Sequence, residues 1–358
     1  MITMIKKIIL TFLISLSSVQ AKEWISTKTG SSREPKWNYR SVSNSEAEIN
    51  FELLGYFLKE LKKGEVTIEI PGGIPILKKG APELPSITSS IAIPDLANMS
   101  IELINSSFVE IHDVRILPSK GNLTRDINPS SVDLNYGVEY KKDEFYPKDL
   151  VFLRNPYIIR SVRGQTIVIQ PFKYNPVSRI LRVYTNVKIR IYEDGVSSIN
   201  PLTTNLKKGK PLRQFESIYS RQFINYSSSL TRYEPLNEDN NMLIICFDSF
   251  INAMQPLVEW KKLKGIRTEI VGLESVGETS VDIKNYVQNY YNNQGLTYLL
   301  LVGDIDQIPS PRFSEGAGTN SPADPYYSFI VGEDYYPDIF VGRFSAEDTT
   351  HVTTMVNR

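Results

Sequence analysis

Cysteine is nearly absent, since Cys246 is the only one in 358 residues. No intrachain disulfide is possible, so stability must come from packing and, at most, a metal ion. Net charge is missing too. Forty Lys and Arg cancel forty Asp and Glu, and no whole-molecule field selects nucleic acid or an anionic membrane as a partner. Past the N-terminal segment no apolar run is long enough to stop in a bilayer, and no internal repeat is found. What remains is a chain long enough for two ordinary domains, each with its own core.

The first positive signal is at the N-terminus. Lys6 and Lys7 precede an apolar run from Ile8 to Leu16, and Ser17, Ser18, Val19 and Ala21 form a small-residue exit. This is the pattern of a signal peptide, residues 1–21, cleaved after Ala21; the run is too short to span ~30 Å of hydrocarbon. The expected location is secreted or cell surface.

From Glu65 to Asp194 the chain reads as short strands, among them "VTIEI", "SITSSIAIP", "TIVIQPFKY" and "RVYTNVKIRIY", broken by Pro, Gly and Asn clusters. This pattern predicts a β-sandwich or barrel. Imperfect alternation around Val183, Val187, Ile189 and Ile191 predicts a bulge in the last strand. Between Ser197 and Asn241 periodicity fades, and a connector with exposed basic residues, Arg232 among them, is expected.

After Asn241 the pattern becomes strand, helix, strand, helix, strand. "MLIICF" and "TYLLLVGD" are apolar along their length, as for strands covered on both faces. Ile251, Met254, Leu257, Val258 and Leu263 recur at helical spacing up to Gly265. A second helix should start at an N-cap Ser280, carry Ile283, Val287, Tyr290 and Tyr291, and end at Gly295. Short links imply right-handed crossovers and a parallel sheet.

In such a sheet, ligands sit beyond the carboxyl ends of the strands, where Asp304 follows "LLLVG". The segment "PYYSFIVGEDYYPDIFVGRF" then reads as strand, tight loop and strand, with Asp334 and Asp338 in the loop. Fully extended, those two would lie ~13 Å apart. Ligands of one Ca²⁺ at ~2.4 Å can be no more than ~5 Å apart, so a shared ion requires the loop to curl, as Gly332 and Pro337 favour. Oxygen donors without His or Cys suit calcium better than zinc.

The stretches "MLIICFDSFINAMQPLVEWKKLKGIRTEIV", "LTYLLLVGDIDQIPS" and "IVGEDYYPDIFVGRFS" resemble the opening of the catalytic domain of the gingipains, secreted cysteine endopeptidases of caspase-like α/β fold. The β-rich part, with "GAPELPSITSSIAIP", is similar to their propeptide. The resemblance implies residues 22–232 as a propeptide with linker and 233–358 as the incomplete N-terminal part of the peptidase domain. Processing is implied after Arg232 in "TRYEP", leaving Tyr233 as the new N-terminus. It further implies a structural Ca²⁺ held by Asp304, the Val331 carbonyl, Asp334, the Tyr336 carbonyl and Asp338, the last being Glu in the family pattern. Implied partners are protein or peptide substrates of the whole protein, and the propeptide with its own catalytic domain.

No catalytic residue is matched. The family's Gly-His-Gly histidine and strand-end cysteine have no counterpart among residues 1–358, where His112 stands in "EIHDV" and His351 in "DTTHVTT". Cys246, inside the first parallel strand, reads as a small buried hydrophobe. The chain as given is expected to be inactive alone, and its last residues, "TTMVNR", read as the middle of a helix. Two other roles stay open: a cell-surface sortase-like relative in protein secretion, and a non-catalytic β-rich binding or inhibitory module. The sequons at Asn98, Asn105, Asn122 and Asn225 carry no functional expectation.

Overall fold

The computed structural model describes residues 22–28, 30, 32–43, 45–61, 64–203, 212–227, 241–312 and 320–358. Ala21, Arg232 and Tyr233 fall outside them. The first region consists of β1 (Glu23–Ser26), β2 (Lys36–Ser41), β3 (Glu46–Glu52), β4 (Gly55–Glu60), β5 (Val66–Glu69), β6 (Ile74–Pro75), β7 (Pro85–Ala92), β8 (Ala97–Ile111), β9 (Val151–Leu153), β10 (Tyr157–Ile159), β11 (Val162–Ile169), β12 (Phe172–Asn175) and β13 (Ile180–Val196). The second holds β14 (Asn241–Cys246), β15 (Arg267–Gly272), β16 (Tyr298–Val302) and β17 (Phe340–Phe344).

The first region folds as stacked antiparallel sheets. One runs β12-β13-β3-β2 with β8 also on β13, another β10-β11-β7-β6 with β9 on β11, and a third β1-β4-β5. Period-two patterning explains the stacking: Ile49 and Phe51 of β3 and Val187, Ile189 and Ile191 of β13 point inward, where they meet Ile87 and Ile91 of β7 and Ile167 and Ile169 of β11. The β13 register slips at Tyr184/Asn186 and again at Lys188/Ile189, which is the bulge that its imperfect alternation predicts.

The connector departs from expectation, because it contains a helix, α1 (Arg213–Gln222). Phe215 and Tyr219, with Phe223 just beyond, make one apolar stripe at a spacing of four and pack on Tyr157 and Ile159. Arg, Gln, Ser and Glu fill the remaining positions apart from Ile218, which hides the period. Burial worth ~1.5–3 kcal/mol for each large ring is enough to form so short a helix.

In the second region the parallel order is β15-β14-β16-β17. Alternation within the apolar strands builds two cores. Leu243, Ile245, Leu299 and Leu301 face Ile283, Val287, Tyr290 and Tyr291, which lie on a helix at Ser280–Gln294. Met242, Ile244, Cys246, Leu300 and Val302 face Met254, Val258 and Val352. Met254 and Val258 belong to α2 (Ile251–Leu263). A short α3 (Leu273–Val276) precedes the Ser280–Gln294 helix, α4, and Val352 lies on α5 (Thr349–Val356).

The N-cap of α4 is Thr279 rather than Ser280. Thr279 Oγ1 accepts from Asp282 N–H, and the Asp282 carboxylate accepts from Thr279 N–H, both at 3.1 Å, forming a capping box. Residues 324–328 form a 3₁₀ turn rather than the expected strand, since Pro325 supplies no N–H to a ladder. Among the described residues no helix is long and apolar enough to cross a membrane.

Candidate functional site

The carboxyl ends of β16 and β17 carry a polar network centred on Arg343. Its guanidinium donates twice to the Asp324 carboxylate at 2.7 Å, and also to the carbonyls of Gly303 (2.9 Å), Ile308 (2.8 Å) and Asp304 (3.3 Å). Ser310 Oγ donates to Asp324 at 2.7 Å. Burial works against the charge on Asp324, but Arg343 and Ser310 hold its carboxyl below the ordinary value. The network ties residues 303–310 and 324 to the strand end. Asp304 itself bonds through its backbone, its N–H donating to Ala346 O at 2.9 Å.

Lys284 of α4 anchors the same excursion by donating to the carbonyls of Tyr326 and Phe329. Burial pushes its amine down to about 8. The unfolded chain therefore holds more protons than the folded one from pH 8 up to the ordinary lysine range, and this group adds stability as pH rises through that window. The expected result is that the stability difference between wild type and Lys284→Met shifts in favour of wild type from pH 8 to pH 10, as read by urea unfolding. A flat difference would contradict it.

The acidic loop is curled. Asp338 N–H donates to Ser328 O at 2.9 Å, and Asp338 Oδ2 accepts from the N–H groups of Ile330 (2.8 Å) and Val331 (2.7 Å). Asp334 Oδ1 accepts from Tyr336 N–H at 2.9 Å. The other oxygen of each carboxylate reaches the first region: Asp334 Oδ2 accepts from Ile158 N–H at 2.8 Å, and Asp338 Oδ1 from Arg160 N–H at 2.6 Å. Asp338 is fully buried, and burial pushes its carboxyl up to about 6 against the pull of its three N–H donors. Asp334 is raised for the same reason.

Two side chains of the first region complete the seam. Arg160 Nη1 donates to Leu296 O (2.6 Å) and Asp338 O (2.9 Å). Asn200 Nδ2 donates to Pro156 O (3.0 Å) and to Asp334 Oδ2 (3.4 Å), while its Oδ1 accepts from Glu333 N–H (2.8 Å). Tyr157 and Tyr336 stack with centroids 3.9 Å apart. A cleft of about 950 Å³ opens beside them, lined by both regions, with Arg154 and Glu333 on its wall and neither cysteine nor histidine in it.

The calcium expectation can be tested on these donors. The described residues contain no group of three His, Cys, Asp or Glu side chains arranged for a metal. Both carboxylates of the loop are turned to N–H groups, which are not oxygen ligands, and Asp304 does not join them. Of the expected side-chain donors only Asp334 and Asp338 come together, and the Val331 and Tyr336 carbonyls belong to the same curled loop. Cys246 is also unsuited to catalysis: it is fully buried at the end of β14, and burial pushes its thiol up to about 12. His112 and His351 are exposed. Asn225 is spent on structure, its side-chain amide pairing with both the N–H and the carbonyl of Ala92.

Arg160, Asn200, Asp324 and Arg343 did not stand out in the sequence. For Arg343 a signal existed, a lone charge in the apolar run "IFVGRF"; for Asn200 there was none.

Two regions that differ in sheet type and meet at one seam match two family models in the same order. A C25-type propeptide model covers residues 32–231, and the model of peptidase family C25 covers 235–358. The chain belongs to the C25 family. This C25 chain is 33% identical over 335 residues to gingipain R2 of Porphyromonas gingivalis, which covers 91% of the chain and 44% of that relative. With gingipain R1 of the same organism it shares 33% over 327 residues, 89% of the chain and 32% of the relative. It thus spans less than half the length of either. Among solved structures, the complex of Porphyromonas gingivalis RgpB pro- and mature domains is similar at 32% identity and a TM-score of 0.48, over 55% of this chain and 100% of that one. The fold expectation of a β-rich propeptide followed by a partial parallel α/β domain holds.

Proposed function

We propose that this C25 chain is the front part of a secreted, latent cysteine endopeptidase, in which residues 22–232 are the propeptide of the domain that starts at Tyr233. What carries the reading is the ordered match of both regions to propeptide and peptidase of one family, over 32–231 and 235–358. The narrow gap between those matches supports processing after Arg232. The signal-like N-terminus supports export with cleavage after Ala21.

The chemistry implied is thiolate attack on a peptide carbonyl, with histidine moving the proton. Cys246 cannot supply that thiolate, being buried with a raised thiol. The nucleophile and histidine of the whole protein are therefore proposed to lie in segments outside residues 1–358. The part played by this chain is to supply four strands of the parallel sheet, their strand-end loops and the covering propeptide.

The test uses the protein made from its complete reading frame. It should digest casein after the propeptide is removed, and iodoacetamide should abolish the activity, while residues 22–358 alone should show none. Hydrolysis that survives alkylation would refute the cysteine mechanism.

A further inference from the structure

Helix α2 ends on a side that no core claims. Met254 and Val258 carry its inner face into the sheet, yet Leu263 is 86% exposed and Trp260 46% exposed, three residues apart and so on one side of the last turn. Lys264 and Lys261 hold their ammonium groups over the indole, 3.9 and 4.9 Å from its centroid. Lys262 and Arg267 are exposed beside them. Residues 260–267 thus carry four cations, and Glu259, one turn back from Leu263, is the only acid between residues 251 and 268. Among the described residues no carboxylate forms a salt bridge with the three lysines, and Arg267 donates to the Gln294 side-chain carbonyl at 3.0 Å.

Lysines in a last turn serve the helix dipole, but that role needs no exposed leucine or tryptophan. Protein interfaces are poor in lysine, and the phosphates of a nucleic acid offer nothing to Leu263. An apolar pair ringed by cations matches the boundary of an anionic bilayer. There an indole sits at headgroup level, a leucine reaches the acyl region and ammonium groups meet phosphates. We propose that the last turn of α2 and the start of β15 form a docking patch for a lipid surface bearing anionic headgroups. The zero net charge of the chain does not oppose this, since screening confines the attraction to within ~8–10 Å. The patch lies at the amino end of β15, the outer strand of the sheet and the one farthest from β17. Docking there leaves the carboxyl ends of β16 and β17 turned away from the bilayer.

The experiment mixes residues 22–358 with vesicles of phosphatidylcholine, alone or with added phosphatidylglycerol, and sediments them. Binding should require phosphatidylglycerol and weaken in high salt. Each charge near the surface changes the partition ~5-fold, so Lys262→Gln with Lys264→Gln should lower it ~25-fold and Glu259→Gln should raise it ~5-fold. Leu263→Ser should lower it about tenfold through lost insertion. These side chains are exposed, so the variants keep their fold, and unfolding cannot produce the gain. Trp260→Phe should remove the blue shift of tryptophan emission that phosphatidylglycerol vesicles cause. No sedimentation with phosphatidylglycerol at low salt, or binding that neither the lysine pair nor Leu263→Ser changes, would overturn the proposal. So would polyglutamate beads that retain wild type and Leu263→Ser alike where vesicles retain neither, which would make the patch a site for acidic protein. Vesicle binding is read without turnover, so it stands or falls apart from the peptidase reading.

Discussion

Arg343→Met should lower the stability of the C25 chain by about 3–5 kcal/mol, the cost of removing one partner of a buried, hydrogen-bonded ion pair. The side chain is 10% exposed, its bond to Asp324 is bidentate, and it serves three further carbonyls. Without it Asp324 keeps only the Ser310 hydroxyl as a charge-stabilising donor. Guanidine unfolding of residues 22–358 would measure the loss. Arg343→Lys should restore little of it, since an ammonium cannot make two parallel bonds to a carboxylate while reaching Gly303 and Ile308. A Lys variant as stable as wild type would show that charge alone, rather than the planar fork, holds the strand-end excursion.

Arg163→Met should cost about 3 kcal/mol, and its effect should also be felt at a distance. Arg163 is fully buried, and its guanidinium donates to the carbonyls of Pro94, Ala97, Ile199 and Asn200. Loss of the donor strands several buried acceptors at once, at ~1–3 kcal/mol for each that finds no other partner. Two of them, Ile199 and Asn200, belong to the turn that presents the Asn200 amide to the acidic loop. Hydrogen exchange of the Ile158 and Arg160 amides should therefore quicken in the variant more than exchange of β3 amides in the sandwich core. Equal acceleration everywhere would mean that Arg163 supports only global stability.

The parallel sheet was legible because its signals are local. "MLIICF" and "TYLLLVGD" are apolar through and through, and each helix has its own period and stop. Gly295, for one, follows α4 at φ 70°. The bulge in β13 was legible for the same reason. The helix α1 was not, since its stripe of three aromatics is stabilised by Tyr157 and Ile159, more than fifty residues away.

The acidic loop was half legible. Gly332 and Pro337 favoured its curl, which the sequence required only if the two carboxylates share an ion. Its partner strand was not legible, because Asp334 and Ile158 are 176 positions apart, and nothing near Arg160 marks the outward edge of a short strand.

The contacts at Ile158 and Arg160 and the peptide linkage through residues 228–240 join the same two bodies in parallel. While the backbone is whole, the loop meets its strand as a covalently joined partner, at a concentration that does not depend on how dilute the protein is. One cut changes no contact in the seam but removes that tether, and the union then obeys mass action. The union of two separated pieces depends on dilution: they stay together where the protein is crowded and part where it spreads.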